Sequence, residues 1–444
     1  ELNAHPDSDL IYSDEDKIDS ADHRYDPYFK SDWNPDLFFS LNLISHLGVY
    51  RTTLLRQIGG FREGYEGSQD YDLALRVIER TRHDRIRHIP HVLYHWRAVA
   101  GSVALASDEK GYAHGAARRA LGEHLQRRGT RAHVVRGYGE FHRLVPPLPD
   151  ALPLVSLIAS TEGSLDAAGA ALATLSNGTD YEPIELLLVS EVAREVRPAP
   201  SGAQGFGFAH EGRLQIVPHD GPFSLAGMNN AGVRAARGEV LLFIHDDVQP
   251  ISREWLREMV SQALRPEIGA VGAKLYYPDD TLEHAGIVAG LRGMVGNPNR
   301  GLRRSAPDNL ARASVIQGVS AVSGACLIMR RRVFEEIGGF DERNVPTAFT
   351  DIDLCFRLQE RGYRVIMTPY AELHHWAAGS WERDQDSRMV PRFEGERRHM
   401  TRRWAVRLQR DPFYSPNLTI EREDLSLAEP PRAHKPWRAH RLFE

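Results

Sequence analysis

The stretch Val240-Leu241-Leu242-Phe243-Ile244-His245-Asp246-Asp247-Val248 sets five apolar residues between Glu239 and His245, with an acidic pair directly after. Such a run is short for a helix and suits a strand buried on both faces. Working outward, Leu154–Ala159, Ile184–Val189 and Ile268–Tyr276 read as further strands. Helical spacing runs through Ala167–Leu175, Phe223–Ala236 and Trp255–Leu264. Strand and helix alternate, which predicts an α/β fold with a mostly parallel sheet and helices on both faces. Ligands of such sheets bind beyond the carboxyl ends of strands, where Asp246 and Asp247 fall.

Each chemical motif carries two readings. The Asp246-Asp247 pair is either a cation site, since hard divalent ions take carboxylate oxygens and bridge phosphates, or an acidic turn capping the next helix. In Thr350-Asp351-Ile352-Asp353, Thr350 or Asp351 caps a helix that ends near Gly362, or Asp351 serves as a general base. His374-His375-Trp376 follows a strand-like Tyr363–Thr368 and a turn at Pro369; a neutral imidazole there is a metal ligand or a structural side chain. Asp14-Glu15-Asp16 reads as an acidic loop cluster.

A long-period repeat runs through the chain. Val49-Tyr50-Arg51 and Ile58-Gly59-Gly60-Phe61 recur as Ile328-Met329-Arg330 and Ile337-Gly338-Gly339-Phe340. Asp70-Tyr71-Asp72-Leu73 recurs as Asp351-Ile352-Asp353-Leu354, and Leu93-Tyr94-His95-Trp96 as Leu373-His374-His375-Trp376. All three blocks keep a separation of about 280 residues. The expected organisation is therefore the carboxyl-terminal half of a first copy at 1–105, a connector at 106–150, a complete second copy at 151–390 and a tail at 391–444. Pro146-Pro147-Leu148-Pro149 marks the boundary. The first copy, beginning after its own acidic motif, is expected to have no independent catalysis and to leave apolar sheet surface exposed.

Composition bounds the partners. The 444 residues carry a net charge of −5, which gives no general reason to expect nucleic acid. Basic residues cluster at 118–143 and 387–409, a candidate for peripheral membrane contact. Two cysteines, Cys326 and Cys355, form neither a metal pair nor a disulfide framework, which suits a reducing, cytoplasmic setting. No apolar run reaches the ~18 residues of a membrane span.

Together the blocks resemble the family-2 inverting glycosyltransferases of the GT-A fold, of the bacterial tandem type that builds O-antigen and related surface polysaccharides. ARGEVLLFIHDDVQP resembles the strand with its DxD-type motif, VSGACLIMRRRVFEEIGGFDE the acceptor-side segment, FTDIDLCFRLQERGYRV the segment with the catalytic Asp, and ELHHWAAGS the closing His segment. DLIYSDEDKID, GSQDYDLALR and DPFYSPNLT are similar to segments of the same tandem proteins. The resemblance implies Mg²⁺ or Mn²⁺ held by Asp246 and Asp247 with His375 close by, Asp351 as base, and Asn230 near the donor. It implies a nucleoside diphosphate sugar donor and a glycan or lipid-linked glycan acceptor at the inner face of the membrane. Two departures are visible. The first strand leads into Ala159-Ser160-Thr161 rather than a Pro-Thr turn. Ser190 stands where the family places a nucleoside-binding Asp, leaving Glu191 or Glu162 for that role.

Two other functions compete. A degenerate transferase that binds glycan or scaffolds an assembly would bind no donor. A nucleotidyltransferase would carry a basic Gly-rich loop near its amino end, and Ala159–Gly163 holds no Lys or Arg.

Overall fold

The computed structural model describes residues 1–98, 111–191, 214–221, 223–376 and 390–435. The chain divides into two units, Glu1–Val145 with Asn309–Gln317 and Arg410–Glu444, and Pro146–Asp308 with Gly318–Gln409.

In the first unit, β1 (Leu10–Ile18) is the spine of a four-stranded sheet. Strands β2 (Arg24–Tyr28) and β3 (Gly48–Tyr50) pair with it antiparallel, and β4 (Ile86–Arg97) pairs parallel. Helices α1 (Pro35–Ser40), α2 (Thr52–Ile58) and α3 (Gln69–Ile78) supply much of the cover. Leu10, Tyr12, Phe38, Leu43, Tyr71 and Leu75 belong to one buried core.

Three expectations change here. Helix α4 (Gly111–Arg127) is part of this unit rather than a free connector. Ala117, Ala120 and Leu121 join the core, a three-and-four spacing that the surrounding arginines mask in the sequence. His124 Nδ1 lies 2.7 Å from Glu79. The hairpin β5 (His133–Arg136) and β6 (His142–Val145) follows. The segment from Arg410 onward also folds with this unit, as Asn417 Nδ2 donates to Asp14 at 2.9 Å. Finally, Asp14, Glu15 and Asp16 lie buried within β1, not in a loop. Each acid has a partner: Asp14 meets His88 at 2.8 Å, Glu15 meets His46 at 2.7 Å, and Asp16 meets Arg24 at 2.6 Å and also His95.

The second unit opens with β7 (Val155–Thr161), β8 (Ile184–Ser190), β9 (Leu214–Pro218) and β10 (Val240–Ile244). They lie parallel in the order β9-β8-β7-β10, with α5 (Leu165–Asn177) and α6 (Leu225–Ala235) in the crossovers. Then come β11 (Val248–Pro250), α7 (Trp255–Ala263), β12 (Ile268–Tyr276), β13 (Leu282–His284), β14 (Cys326–Arg330), α8 (Arg331–Glu336), α9 (Thr350–Glu360), β15 (Arg364–His375), α10 (Val390–Arg403) and α11 (Ala405–Gln409).

The sheet is mixed rather than mostly parallel. Strand β14 lies antiparallel between β10 and β12. It starts where β10 ends, Cys326 opposite Ile244, so its direction is necessarily reversed. Strand β15 runs through Pro369, where a turn was expected. A register shift between Gly272 and Lys274 of β12 absorbs the proline.

The two units share pairings. Strand β12 pairs antiparallel with β14 and parallel with β15, as β1 does with β3 and β4. Arg357 Nη1 donates to Ile337 O at 3.0 Å, and Arg76 Nη1 to Ile58 O at 2.9 Å.

Gly238 fixes the start of β10. A Cβ there would lie 2.6 Å from Leu154 O and 2.7 Å from Ser156 N, both backbone atoms that cannot swing aside. Its N–H donates to Ser156 Oγ at 2.7 Å. Gly238→Ala is expected to cost about 1–3 kcal/mol, the range for overpacking a tight core, in urea unfolding of the full chain.

Candidate active site

Strand β10 is locked between β7 and β14, all five of its residues buried. The chain then turns through His245, Asp246 and Asp247. His245 N–H donates to Ala325 O at 3.1 Å, and Trp376 N–H to Asp247 O at 3.0 Å. Strand β11 pairs with the end of β15, Val248 opposite His375. This short return strand brings Asp247 beside His375, far away in the sequence.

Three ligand-type atoms converge there, one each from His245, Asp247 and His375, all within 4.8 Å of one another. His375 Nε2 lies 3.2 Å from Asp247 Oδ1 and 3.3 Å from His245 Nδ1. Its other nitrogen, Nδ1, lies 2.9 Å from both oxygens of Glu283 on β13. A carboxylate clamped on one imidazole nitrogen fixes the tautomer and turns the other nitrogen's lone pair outward. Asp247 Oδ1 is buried and meets no well-directed donor. An acid oxygen and two imidazole nitrogens facing one another in this way suit a cation.

The electrostatics describe an acid–imidazolium pair, whose proton a bound cation would have to displace. Burial and neighbouring His375 press His245 down to about 4, so it is neutral near pH 7. Burial opposes ionisation of His375 too, but contacts with Asp247 and Glu283 outweigh it and raise the imidazole to about 9. Burial pushes Asp247 upward, and His375 more than offsets this, leaving it below the usual carboxylate range. Asp246 is half-buried in the same turn and stands outside the three-residue cluster.

Asp351 is in the first turn of α9, and the residue preceding the helix is Phe349, not Thr350 or Asp351. Phe349 has φ of 57°, a left-handed conformation costly for a bulky side chain. Its ring packs 5.5 Å from that of Phe393. Asp351 Oδ2 accepts from Gly324 N at 2.7 Å, and Oδ1 from Ile352 N at 2.9 Å. Burial raises this carboxyl above its ordinary range, against the pull of those N–H groups. One turn therefore touches both centres, since Gly324 N–H holds Asp351 and Ala325 C=O holds His245. Asp353 acts elsewhere. It accepts from Arg357 at 2.6 Å and from Trp404 at 3.0 Å, tying α9 down.

The remaining sequence candidates separate. Asn230 Nδ2 donates to Phe340 O at 3.0 Å and to Glu342 at 2.7 Å, and its Oδ1 accepts from Phe340 N. Its polar atoms bind α6 to the 340–342 loop. Its neighbour Asn229 accepts from Ser160 Oγ at 2.9 Å, beside the carboxyl end of β7. Ser190 is fully buried at the end of β8. Glu191 follows it, with Oε1 buried and no hydrogen-bond partner among the described residues. His374 faces Asp280 at 2.8 Å, away from the cluster.

Sequence reasoning passed over His245, although it directly precedes the acidic pair. It also passed over Glu283 and His284. His284 Nε2 accepts from Ser323 N at 3.3 Å and so supports the turn that holds Asp351. The one available signal was the Glu-His doublet, shortly after a strand.

The mixed α/β sheet and its helices are those of the GT-A glycosyltransferase fold. Residues 164–405 match the family described as Glycosyltransferase like family 2, and the chain belongs to that family. It is 42% identical over 431 residues to the uncharacterized protein y4gI of Sinorhizobium fredii, covering 97% of this chain and 47% of that protein. It is 37% identical over 436 residues to the O-antigen biosynthesis protein RfbC of Myxococcus xanthus, covering 96% of this chain and 33% of that protein. The chain thus spans half or less of the length of these curated relatives. Among solved structures, it is similar to the mannosyltransferase PcManGT from Pyrobaculum calidifontis in complex with GDP-Man and Mn²⁺, with 18% identity and a TM-score of 0.38 over 53% of this chain and 60% of that one. Among the described residues, no helix is long and apolar enough to cross a membrane.

Proposed function

We propose that the second unit transfers a sugar, with inversion, from a nucleoside diphosphate sugar to a growing cell-surface polysaccharide. The observation that carries this is the convergence of His245, Asp247 and His375 in one cluster, linked through the Ser323–Ala325 turn to the half-buried carboxylate of Asp351. Asp247, His375 and His245 would hold Mg²⁺ or Mn²⁺, with Asp246 adjoining. Such a cation offsets the negative charge that collects on a departing diphosphate. Asp351 takes the proton of the acceptor hydroxyl as its oxygen attacks the anomeric carbon. The bond from that carbon to the diphosphate oxygen breaks on the opposite face, which inverts the centre. Glu191, whose Oε1 has no hydrogen-bond partner among the described residues, directly follows Ser190 and is assigned to the donor's nucleoside. Asn230 supports the donor side indirectly, through the 340–342 loop.

The polysaccharide acceptor rests on the likeness to the O-antigen biosynthesis protein of Myxococcus xanthus. We assign the site to the cytoplasmic side, with a lipid-linked glycan at the membrane surface. We further read the first unit as the acceptor-side half of a second copy, from the shared strand pairings and the Asp70 and His95 counterparts of Asp351 and His375. Among the described residues that unit shows no counterpart of β7 through β10, and the transfer proposed here is that of the second unit.

The direct test is a panel of nucleotide sugars assayed for released nucleoside diphosphate, with Mn²⁺ and with EDTA. Metal-dependent release from one donor supports the reading. Failure of every donor to bind would leave a glycan-binding scaffold, the alternative that buried Ser190 favours.

Glu283 supplies a finer check. Glu283→Gln keeps the shape but not the charge on His375 Nδ1. Outer partners of this kind are worth about 10–100-fold in metal affinity, and a loss of that size is expected in a Mn²⁺ titration.

A further inference from the structure

A second concave site lies in the same unit, away from the His-Asp cluster. It is a cleft of about 640 Å³ between the loop ahead of α9 and helix α10. Arg343, Arg398, His399 and Arg402 line it together with Asn344 and Gly395. Neighbouring arginines on α10 have partners: Arg397 pairs with Glu394 at 2.7 Å and Arg403 with Glu360 at 2.8 Å. Among the described residues, Arg343, Arg398 and Arg402 meet no carboxylate at ion-pair distance. The one acid in the lining, Glu396, is only 3% exposed, and its Oε2 accepts from the backbone N–H groups of Thr347 and Ala348 at 3.2 and 2.8 Å. That acid braces the wall of the cleft, one negative charge against three arginines. Gly395 keeps the floor open, since a Cβ there would meet nothing within 4 Å.

Three guanidinium groups gathered from two elements, none in a direct ion pair among the described residues although Arg398 Nε donates to Glu394 O at 3.3 Å, can form a receptor for a compact polyanion. Arginine's planar fork matches phosphate oxygens in pairs. The placement carries a second meaning. The loop that bears Arg343 continues through Thr347 and Ala348 into Phe349 and then Asp351, so cleft and base share one support.

We propose that this cleft binds a phosphate-bearing group on the acceptor side of the transfer site. The phosphate chemistry stands on the cleft alone; the acceptor assignment rests on the transfer reading above. Two sources fit: the diphosphate of a lipid-linked glycan, or the phosphate headgroups of the bilayer itself.

The test uses the full chain in EDTA, so that the His-Asp cluster contributes no metal-bridged phosphate. Inorganic pyrophosphate is titrated calorimetrically into wild type, Arg398→Ala/Arg402→Ala and Gly395→Glu. Wild type binds, and affinity falls about tenfold or more for each arginine removed, the size of a lost charge-assisted hydrogen bond. Gly395→Glu has room for its side chain and replaces a helix glycine, so it folds at least as well, yet it abolishes binding by adding an acid to the cleft. Neutral vesicles carrying farnesyl diphosphate, or instead phosphatidylglycerol, then separate the sources. Retention on the first alone supports the acceptor diphosphate, and retention on both supports bilayer headgroups. No pyrophosphate binding by wild type, or equal binding by all three proteins, overturns the site. Pyrophosphate binding without transfer from any donor would leave the site standing and sink the transfer reading instead.

Discussion

Asp351→Asn is expected to abolish sugar transfer while leaving donor and Mn²⁺ binding in place. The substitution is nearly isosteric. Asn keeps an oxygen for one of the N–H donors, Gly324 or Ile352, so the first turn of α9 should hold its course. What disappears is the ability to accept a proton. A positioned general base contributes about 10²–10⁴ in rate, and turnover should fall by that much. The sign of the pH dependence follows from burial. Burial raises the Asp351 carboxyl, and only its ionised form accepts the acceptor's proton. Wild-type activity should therefore decline on the acid side at a higher pH than an exposed aspartate would give. Transfer by Asp351→Asn at near wild-type rate, measured as nucleoside diphosphate released per enzyme, would remove Asp351 from the mechanism. The second acid of the motif is the built-in contrast. Asp353 is held by Arg357 and Trp404, so Asp353→Asn should show its effect in unfolding rather than in the pH profile.

That contrast marks where the sequence was legible. The spacing of Val240–Ile244 gave the strand, because a five-residue apolar run has few other uses in a folded domain, and its acidic end pointed to the candidate site. The repeat singled out Asp351 and His375 because both copies keep them in fixed order. Direction of pairing was not legible. Whether β14 lies parallel or antiparallel depends on which end of the sheet its loop returns to, and the loop's composition does not say. The role of Asn230 was hidden for a related reason. Its partners, Phe340 and Glu342, lie 110 and 112 residues away. The basic helix at 115–128 was legible, but its place in the core was obscured by the arginines that flank its Ala/Leu stripe. Glu283 was missed because its meaning is relational: it matters only once β13 sets it against His375 Nδ1.

The same relation yields the other large effect. Removal of the His375 side chain should eliminate measurable Mn²⁺ binding, and with it metal-dependent binding of the donor. His375 is nearly fully buried and is the hub of the cluster, touching Asp247, His245 and Glu283 at once. Its loss should exceed the 10–100-fold expected from its outer partner Glu283, since it takes away a ligand rather than a brace. His375→Ala has a complication that the geometry makes explicit. It leaves the carboxylates of Asp247 and Glu283 in a partly buried space with no imidazole between them, and like charges there raise each other's pKa and weaken the fold. Asp247→Asn avoids this, because it removes a negative charge instead of a shield. The backbone pairing of Val248 with His375 is untouched by either change. The decisive comparison is therefore calorimetric Mn²⁺ titration of wild type, His375→Ala and Asp247→Asn, with thermal unfolding run in EDTA alongside. Loss of binding in both variants, with Asp247→Asn still folded, identifies the cluster as the cation site. Undiminished Mn²⁺ affinity in a folded Asp247→Asn would place the cation elsewhere and leave Asp247 as a structural partner of His375.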